Sequence, residues 1–306
     1  MAVNGKPVEG ADYVPMDVWG MIGNMTLEEF HSEPRSQLFW VHLGPRIYEN
    51  YNWVFMWFGL LYVPLVFGGI KLMQNRPPFH LGFFLTFWNF LMAAFSAWGF
   101  AYTFYPMIRW VFTYSLSGNS MVCDFWIFEQ PAISQLAVFF FVVSKVFEFI
   151  DTIFLVLRKR PVIFLHWYHH VITFLFTWYA SITSQHHNAA GFYFCQMNYF
   201  VHAWMYLYYM FVSMKIYPKW DLFITLIQLI QMVLGVVIIT ISMSCDTTDW
   251  TAVAFGFVLY ASFFYLFIQI FQRRYFTESG FRSTASPTAR PASTASSEPT
   301  PEKKTN

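Results

Sequence analysis

The sequence predicts an all-α membrane protein, with seven transmembrane helices, the N-terminus lumenal and the C-terminus cytosolic. Three observations carry that expectation. First, 57% of the 306 residues are hydrophobic and 11% are charged, where a soluble domain carries about 25% charged residues. The mean hydropathy is +0.41, and 38 Phe, 18 Tyr and 13 Trp are more apolar surface than one water-facing globule can hide. Second, seven stretches reach the roughly 20 apolar residues that a helix rising 1.5 Å per residue needs to cross about 30 Å of hydrocarbon. Third, the basic residues concentrate in alternate connections, on one side of those stretches. A formal net charge of +1 provides no bulk attraction to nucleic acid, so no nucleic-acid partner is expected.

Residues 1–51 are mixed polar and lack an apolar core next to the start, so no cleavable signal peptide is expected and the first span directs insertion. This lumenal segment carries a glycosylation acceptor, Asn24-Met25-Thr26. The seven-helix domain, 52–272, is read as spans at 52–70, 82–104, 134–157, 162–183, 190–214, 220–244 and 251–272. The third is the least apolar, because Lys145, Glu148 and Asp151 interrupt it. Cys123 and Cys245 follow the second and sixth spans, in lumenal loops where disulfides are permitted, and are expected to pair. With the N-terminus outside, Lys71, Arg76, Arg158, Lys159, Arg160, Lys215, Lys219, Arg273, Arg274, Arg282, Arg290, Lys303 and Lys304 all face the cytosol, as the retention of basic loops there requires. Residues 273–306 form a cytosolic tail whose Ser, Thr, Pro and Ala content predicts disorder. It ends Lys303-Lys304-Thr305-Asn306, resembling the dilysine signal that returns membrane proteins to the endoplasmic reticulum.

Ionisable groups inside a span cost several kcal/mol unless they face the bundle interior and find partners. This chain keeps many, and at helical spacing. Lys145, Glu148, Asp151 and Thr152 fall within an arc of roughly 120°. His166, His169 and His170 share one face of a single turn. Asn198, His202 and Tyr206 follow at steps of four, and Thr225, Gln228 and Gln231 at steps of three. Counted inward from the cytosolic flanks at about 1.5 Å per residue, these groups lie at a common depth. Polar residues that only hold helices together contribute about 1 kcal/mol per bond, which does not account for three imidazoles in five residues. The layer therefore reads as a site open to cytosolic reactants.

Two chemistries suit such imidazoles. Neutral histidines at i and i+3 or i+4 can bind metals, as in the histidine boxes of membrane desaturases and hydroxylases. Those enzymes use about eight histidines on one side, whereas His186-His187 lies at the opposite end of its helix and only four histidines reach this layer. No metal is therefore expected. The other chemistry is covalent: imidazole attacks thioesters near neutral pH without prior ionisation. Cys195, a rival nucleophile, lies about 30 Å from Lys215 along its helix and reads as a buried structural thiol.

Lys145-Val-Phe-Glu148-Phe-Ile-Asp151-Thr152, His166-Trp-Tyr-His169-His170, Asn198-Tyr-Phe-Val-His202-Ala-Trp-Met205-Tyr206 and Thr225-Leu-Ile-Gln228-Leu-Ile-Gln231 together resemble, in order, four motifs of the very-long-chain fatty acid elongase family. The resemblance implies a 3-oxoacyl-CoA synthase that condenses long-chain acyl-CoA with malonyl-CoA, releasing carbon dioxide and CoA, in the endoplasmic reticulum membrane. The two thioesters are substrates, and no cofactor is implied. By similarity to the mechanism proposed for the family, His169 takes the acyl group. His166, His170 and His202 orient it and move protons, while Lys145, Glu148, Asp151, Asn198, Tyr206, Gln228 and Gln231 support them. Arg158, Lys159, Arg160, Lys215, Arg273 and Arg274 rim the cytosolic mouth and suit CoA phosphates. Membrane lipid, a second copy of the chain and the other enzymes of the elongation cycle are the remaining expected partners.

Overall fold

A computed structural model of the chain describes residues 43–113, 122–123, 131–183, 189–246, 248–273 and 276. Asn24, His186, His187, Arg274, Lys303, Lys304 and the tail beyond 276 lie outside the described residues. Among those described there are eight helices and no strand: α1 Leu43–Met73, α2 Gly82–Thr113, α3 Ala132–Phe147, α4 Phe149–Leu157, α5 Phe164–Thr183, α6 Ala190–Ser213, α7 Asp221–Ser242 and α8 Trp250–Gln272. Four segments are long and apolar enough to cross a membrane: Trp53–Met73, Gly82–Arg109, Asp221–Ser242 and Trp250–Gln272.

The sequence reading of 134–157 as one helix needs correction, since α3 and α4 part at Glu148. No glycine or proline causes the break. The Glu148 N–H still donates to the Ser144 carbonyl at 2.9 Å, but the Asp151 N–H reaches back only three residues, to Glu148, at 3.1 Å. The ladder thus tightens by one residue, as in a 3₁₀ turn. α4 ends at Leu157, and Pro161, with no N–H to give, separates it from α5.

The chain through Leu266 forms one compact unit and Phe267–Asn306 a second. Within the first, α2 packs along α6, α6 along α7, and α1 along α5. Large apolar side chains face outward, among them Leu65 and Leu72 on α1, Phe83 on α2 and Ile230 on α7, while Lys145, Glu148, Gln135, Gln196 and His202 are buried. That inversion of the water-soluble pattern suits a lipid surround.

One interior region is mainly apolar. Phe141 and Val142 of α3, Trp178 of α5, and Phe192, Cys195 and Tyr199 of α6 pack together with Cys245. Cys123 and Cys245 are joined by a disulfide with their Cα atoms 5.3 Å apart. The Tyr199 ring lies edge-on to Phe95 and Phe141, and its hydroxyl donates to the Ala137 carbonyl at 2.8 Å. α2 can approach this fixed ring only because position 99 is glycine, since a Cβ there would collide with it.

Candidate active site

Three residues along α6 from the Cys195 packing, and four along α3 from Phe141, the interior turns polar. The Lys145 ammonium sits over the Phe141 ring, 4.2 Å from its centroid. It donates to Glu148 Oε1 at 2.6 Å and to Asn198 Oδ1 at 2.8 Å. Both members of the ion pair are 2% exposed, so each needs the other to offset its desolvation. Because Asn198 spends its oxygen on Lys145, the amide group near His202 is its N–H donor, and His202 Nε2 accepts at 3.2 Å. The His202 ring proton is then on Nδ1, 3.5 Å from Glu148 Oε1. Glu148 thereby faces both the ammonium and an imidazole.

Asp151 is held differently from Glu148. Its two oxygens accept from Trp88 Nε1 and from the Tyr206 hydroxyl, each at 2.6 Å, and neither goes to Lys145 or to a histidine. Thr152, the next residue, turns toward α1 and α5, where its hydroxyl bonds the Tyr62 hydroxyl at 2.7 Å and His166 Nε2 at 2.9 Å.

The three histidines of α5 pack edge-on to one another, with ring centroids 4.5 Å apart for His166 and His170 and 5.4 Å for His169 and His170. His169 also lies 5.0 Å from the Phe263 ring of α8. His169 and His170 are within charge–charge range of His202 and Lys145. The motifs of α3–α4, α5 and α6 thus meet in one cluster. His166 and His202 are tethered by hydrogen bonds, while the ring nitrogens of His169 and His170 have no hydrogen-bond partner among the described residues. An imidazole with an uncommitted nitrogen can act as a nucleophile or accept a proton.

The chain matches the ELO profile, described as the GNS1/SUR4 family, over residues 47–282. It belongs to that family. Very long chain fatty acid elongase 6 of Drosophila melanogaster is 36% identical over 245 residues, covering 77% of this chain and 76% of the relative. Putative fatty acid elongase 3 of Caenorhabditis elegans is 40% identical over 237 residues, with 71% and 68% covered. Very long chain fatty acid elongase 6 of Homo sapiens is 39% identical over 192 residues, with 62% and 70% covered.

Other residues of this ELO chain stand less close to the cluster. Thr225 spends its hydroxyl on the Asp221 carbonyl of its own helix at 2.9 Å. Gln228 Nε2 lies 3.8 Å from Met205 Sδ, and Gln231 is buried. None of the three has a hydrogen bond to the histidine cluster among the described residues. Cys195 is a free, fully buried thiol in the apolar region. Arg158, Lys159 and Arg160 line a pocket of about 380 Å³ with Pro78, Phe79 and His80. Lys159 has a positive φ of 52°, and its ammonium donates to the carbonyls of Gln74 and Arg76. It braces the link between α1 and α2, leaving Arg158 and Arg160 as the arginines of that wall. Lys215 is exposed, also at positive φ, and Arg273 is exposed in the second unit.

Sequence reasoning missed Tyr62 and Trp88, while His80, which it weighed as an isolated histidine with no functional role, lines the arginine pocket. Tyr62 and Trp88 are single aromatic residues in helices full of them, and His80 is isolated in sequence, so none stands in a polar periodicity that could have marked it.

Proposed function

We propose that the protein is a fatty acid elongase that condenses long-chain acyl-CoA with malonyl-CoA, giving 3-oxoacyl-CoA, carbon dioxide and CoA. Membership of the ELO family and elongase-named relatives support this reading over the desaturase alternative. The observation that carries the chemistry is the untethered pair His169 and His170 in one cluster with the tethered His166; His169 is assigned the acyl group by resemblance to the mechanism proposed for the family.

In the proposed first half-reaction a His169 ring nitrogen attacks the thioester carbonyl. The carbon–sulfur bond breaks, CoA leaves as a thiol with the imidazole proton, and an acyl-imidazole remains. Malonyl-CoA then loses carbon dioxide, and its enolate carbon attacks the acyl carbonyl, freeing the imidazole as it takes up a proton. His166, His170 and His202 supply donors to the oxyanion and enolate and carry protons. Lys145, Glu148, Asp151, Asn198 and Tyr206 fix the surrounding geometry, while Gln228 and Gln231 of α7 are assigned as neutral donors. Arg158, Arg160 and Lys215 are assigned to CoA phosphates, with Lys159 bracing the pocket wall; for Arg273 and Arg274 the same role rests on the sequence alone.

The same reading places the chain in the endoplasmic reticulum membrane, with seven spans, a lumenal segment 1–51 glycosylated at Asn24, a core domain 52–272 and a cytosolic tail 273–306. The tail's Lys303 and Lys304 act as the retrieval signal. The Cys123–Cys245 bridge then lies on the lumenal side, where it is chemically stable. Self-association and contact with the other enzymes of the cycle complete the proposal.

Purified protein supplied with acyl-CoA alone tests it. The expected result is stoichiometric CoA release and a mass increase of one acyl chain, followed on adding malonyl-CoA by 3-oxoacyl-CoA. Condensation without any adduct would replace the two-step scheme by direct attack in a ternary complex. Absence of condensation across a panel of chain lengths would overturn the activity.

A further inference from the structure

We propose that Tyr62, a residue of α1 outside the four motifs, fixes which nitrogen of His166 carries the ring proton. The proposal rests on the elongase reading only for its catalytic consequence, since the hydrogen-bond chain is a property of the protein without substrate. Tyr62 is 4% exposed, and among the described residues its hydroxyl has one hydrogen-bond partner, Thr152 Oγ1 at 2.7 Å. Thr152 is 2% exposed and bonds onward to His166 Nε2 at 2.9 Å.

The use of Thr152 is unusual within this chain. Thr86, Thr103, Thr225 and Thr240 each turn their hydroxyl back to the carbonyl four residues earlier, the common resting place of a helical threonine. Thr152 instead places its hydroxyl between two side chains from two other helices. Tyr62 is itself held flat against Phe149, with ring centroids 4.2 Å apart, so its hydroxyl is not free to look elsewhere.

Proton counting gives the chain a direction. Three groups share two bonds. If Tyr62 donates to Thr152 and Thr152 donates to His166 Nε2, both hydroxyl protons are used and the imidazole accepts. In the reverse order His166 Nε2–H donates to Thr152, Thr152 donates to Tyr62, and the tyrosine proton is left buried with no acceptor; if Tyr62 and His166 both donate to Thr152, the threonine proton is the one left without an acceptor among the described residues, and either case is expensive. The forward order therefore holds. His166 carries its proton on Nδ1 and presents a permanently occupied Nε2, which makes it a donor through Nδ1 and disqualifies Nε2 as a base. Tyr62 is a positioning residue in this scheme, acting on the reaction through His166.

The test is a ring-nitrogen NMR measurement on the full chain in detergent, with ¹⁵N,¹³C-histidine and ¹³C-carbonyl leucine. Leu165-His166 is the one Leu-His step in the sequence, so transfer from the leucine carbonyl selects His166, and correlation within the residue leads to its ring. Expected in the wild type is a protonated Nδ1 and an unprotonated Nε2. Tyr62→Phe removes the constraint, so an Nε2–H population appears, and acyl transfer in a single turnover slows roughly tenfold. Thr152→Val loses the bonded Nε2 signal, and Thr152→Ser restores the wild-type pattern. A wild-type ring protonated at Nε2 overturns the proposal without any variant having to fold, as does a Tyr62→Phe spectrum identical to wild type. A chain with the expected ring signals that fails to condense thioesters would sink the elongase reading and leave the relay standing.

Discussion

The two interior regions of the bundle are built by the same helices and hold together by different means. α3 gives Phe141 and Val142 to one and Lys145 to the other; α6 gives Cys195 and Tyr199 to one and Asn198 and His202 to the other. In the apolar region contacts are non-directional and each side chain fits by shape. In the polar region Lys145, Glu148, Asp151, Thr152, Asn198 and His202 are joined by hydrogen bonds and an ion pair with fixed partners, so removing one leaves another buried and unpaired. In a membrane, burial of apolar groups gives little stabilisation of its own, because lipid is as apolar as the interior. The apolar region therefore depends on close packing and its disulfide, and the polar region on a closed network. Substitutions in the first should register in stability, and substitutions in the second chiefly in chemistry.

The largest effect expected is from His169→Ala. Its ring carries no hydrogen bond that the fold needs, so detergent stability should stay near wild type while the acyl adduct disappears and condensation falls by roughly a thousandfold or more. An adduct persisting in that variant would move the nucleophile elsewhere. Next is Lys145→Met, which leaves Glu148 buried without its cation. A loss of about 3–5 kcal/mol is expected, read as a lower thermal midpoint, and Lys145→Met/Glu148→Gln should recover part of that stability without recovering turnover. Gly99→Ala sharpens the contrast from the other side: the new methyl meets the pinned Tyr199 ring, and overpacking of this kind costs about 1–3 kcal/mol. The thermal midpoint should fall while turnover per folded molecule holds. Smallest is Cys195→Ala, expected to lower stability by no more than about 1–2 kcal/mol and to leave adduct formation and condensation intact. Loss of the adduct there would reinstate the thiol as nucleophile.

Much of the polar region is legible in the sequence, since a costly residue in a span is conspicuous and helical periodicity states which such residues share a face. Lys145, Glu148, His166, His169, His170, Asn198 and His202 all come together on that basis. What periodicity does not carry is partner choice. Both carboxylates qualify to pair Lys145, yet Asp151 turns to Trp88 and Tyr206. The helix break at Glu148 is invisible because no glycine or proline marks it. Thr225 sits in a motif yet bonds its own helix, whereas Tyr62, in no motif, completes the chain to His166. Aromatic residues with a polar tip are the hardest to read, because among 18 Tyr and 13 Trp only the fold reveals which hydroxyl or indole meets a partner.

The disulfide has a topological meaning beyond stability. Cys123 and Cys245 are 122 residues apart, and every residue from Lys145 to Gln231 lies between them. The four motifs are thus threaded on a single covalent macrocycle, to which α1, α2 and α8 are attached as arms. A single nick anywhere within that ring cannot release a fragment on denaturation until the bridge is reduced, whereas a nick between α1 and α2 leaves Tyr62 held to the ring by packing alone. The chain's reacting groups and its docked reinforcements therefore differ in how they can be lost: the first stay covalently joined after one cut, and the second do not.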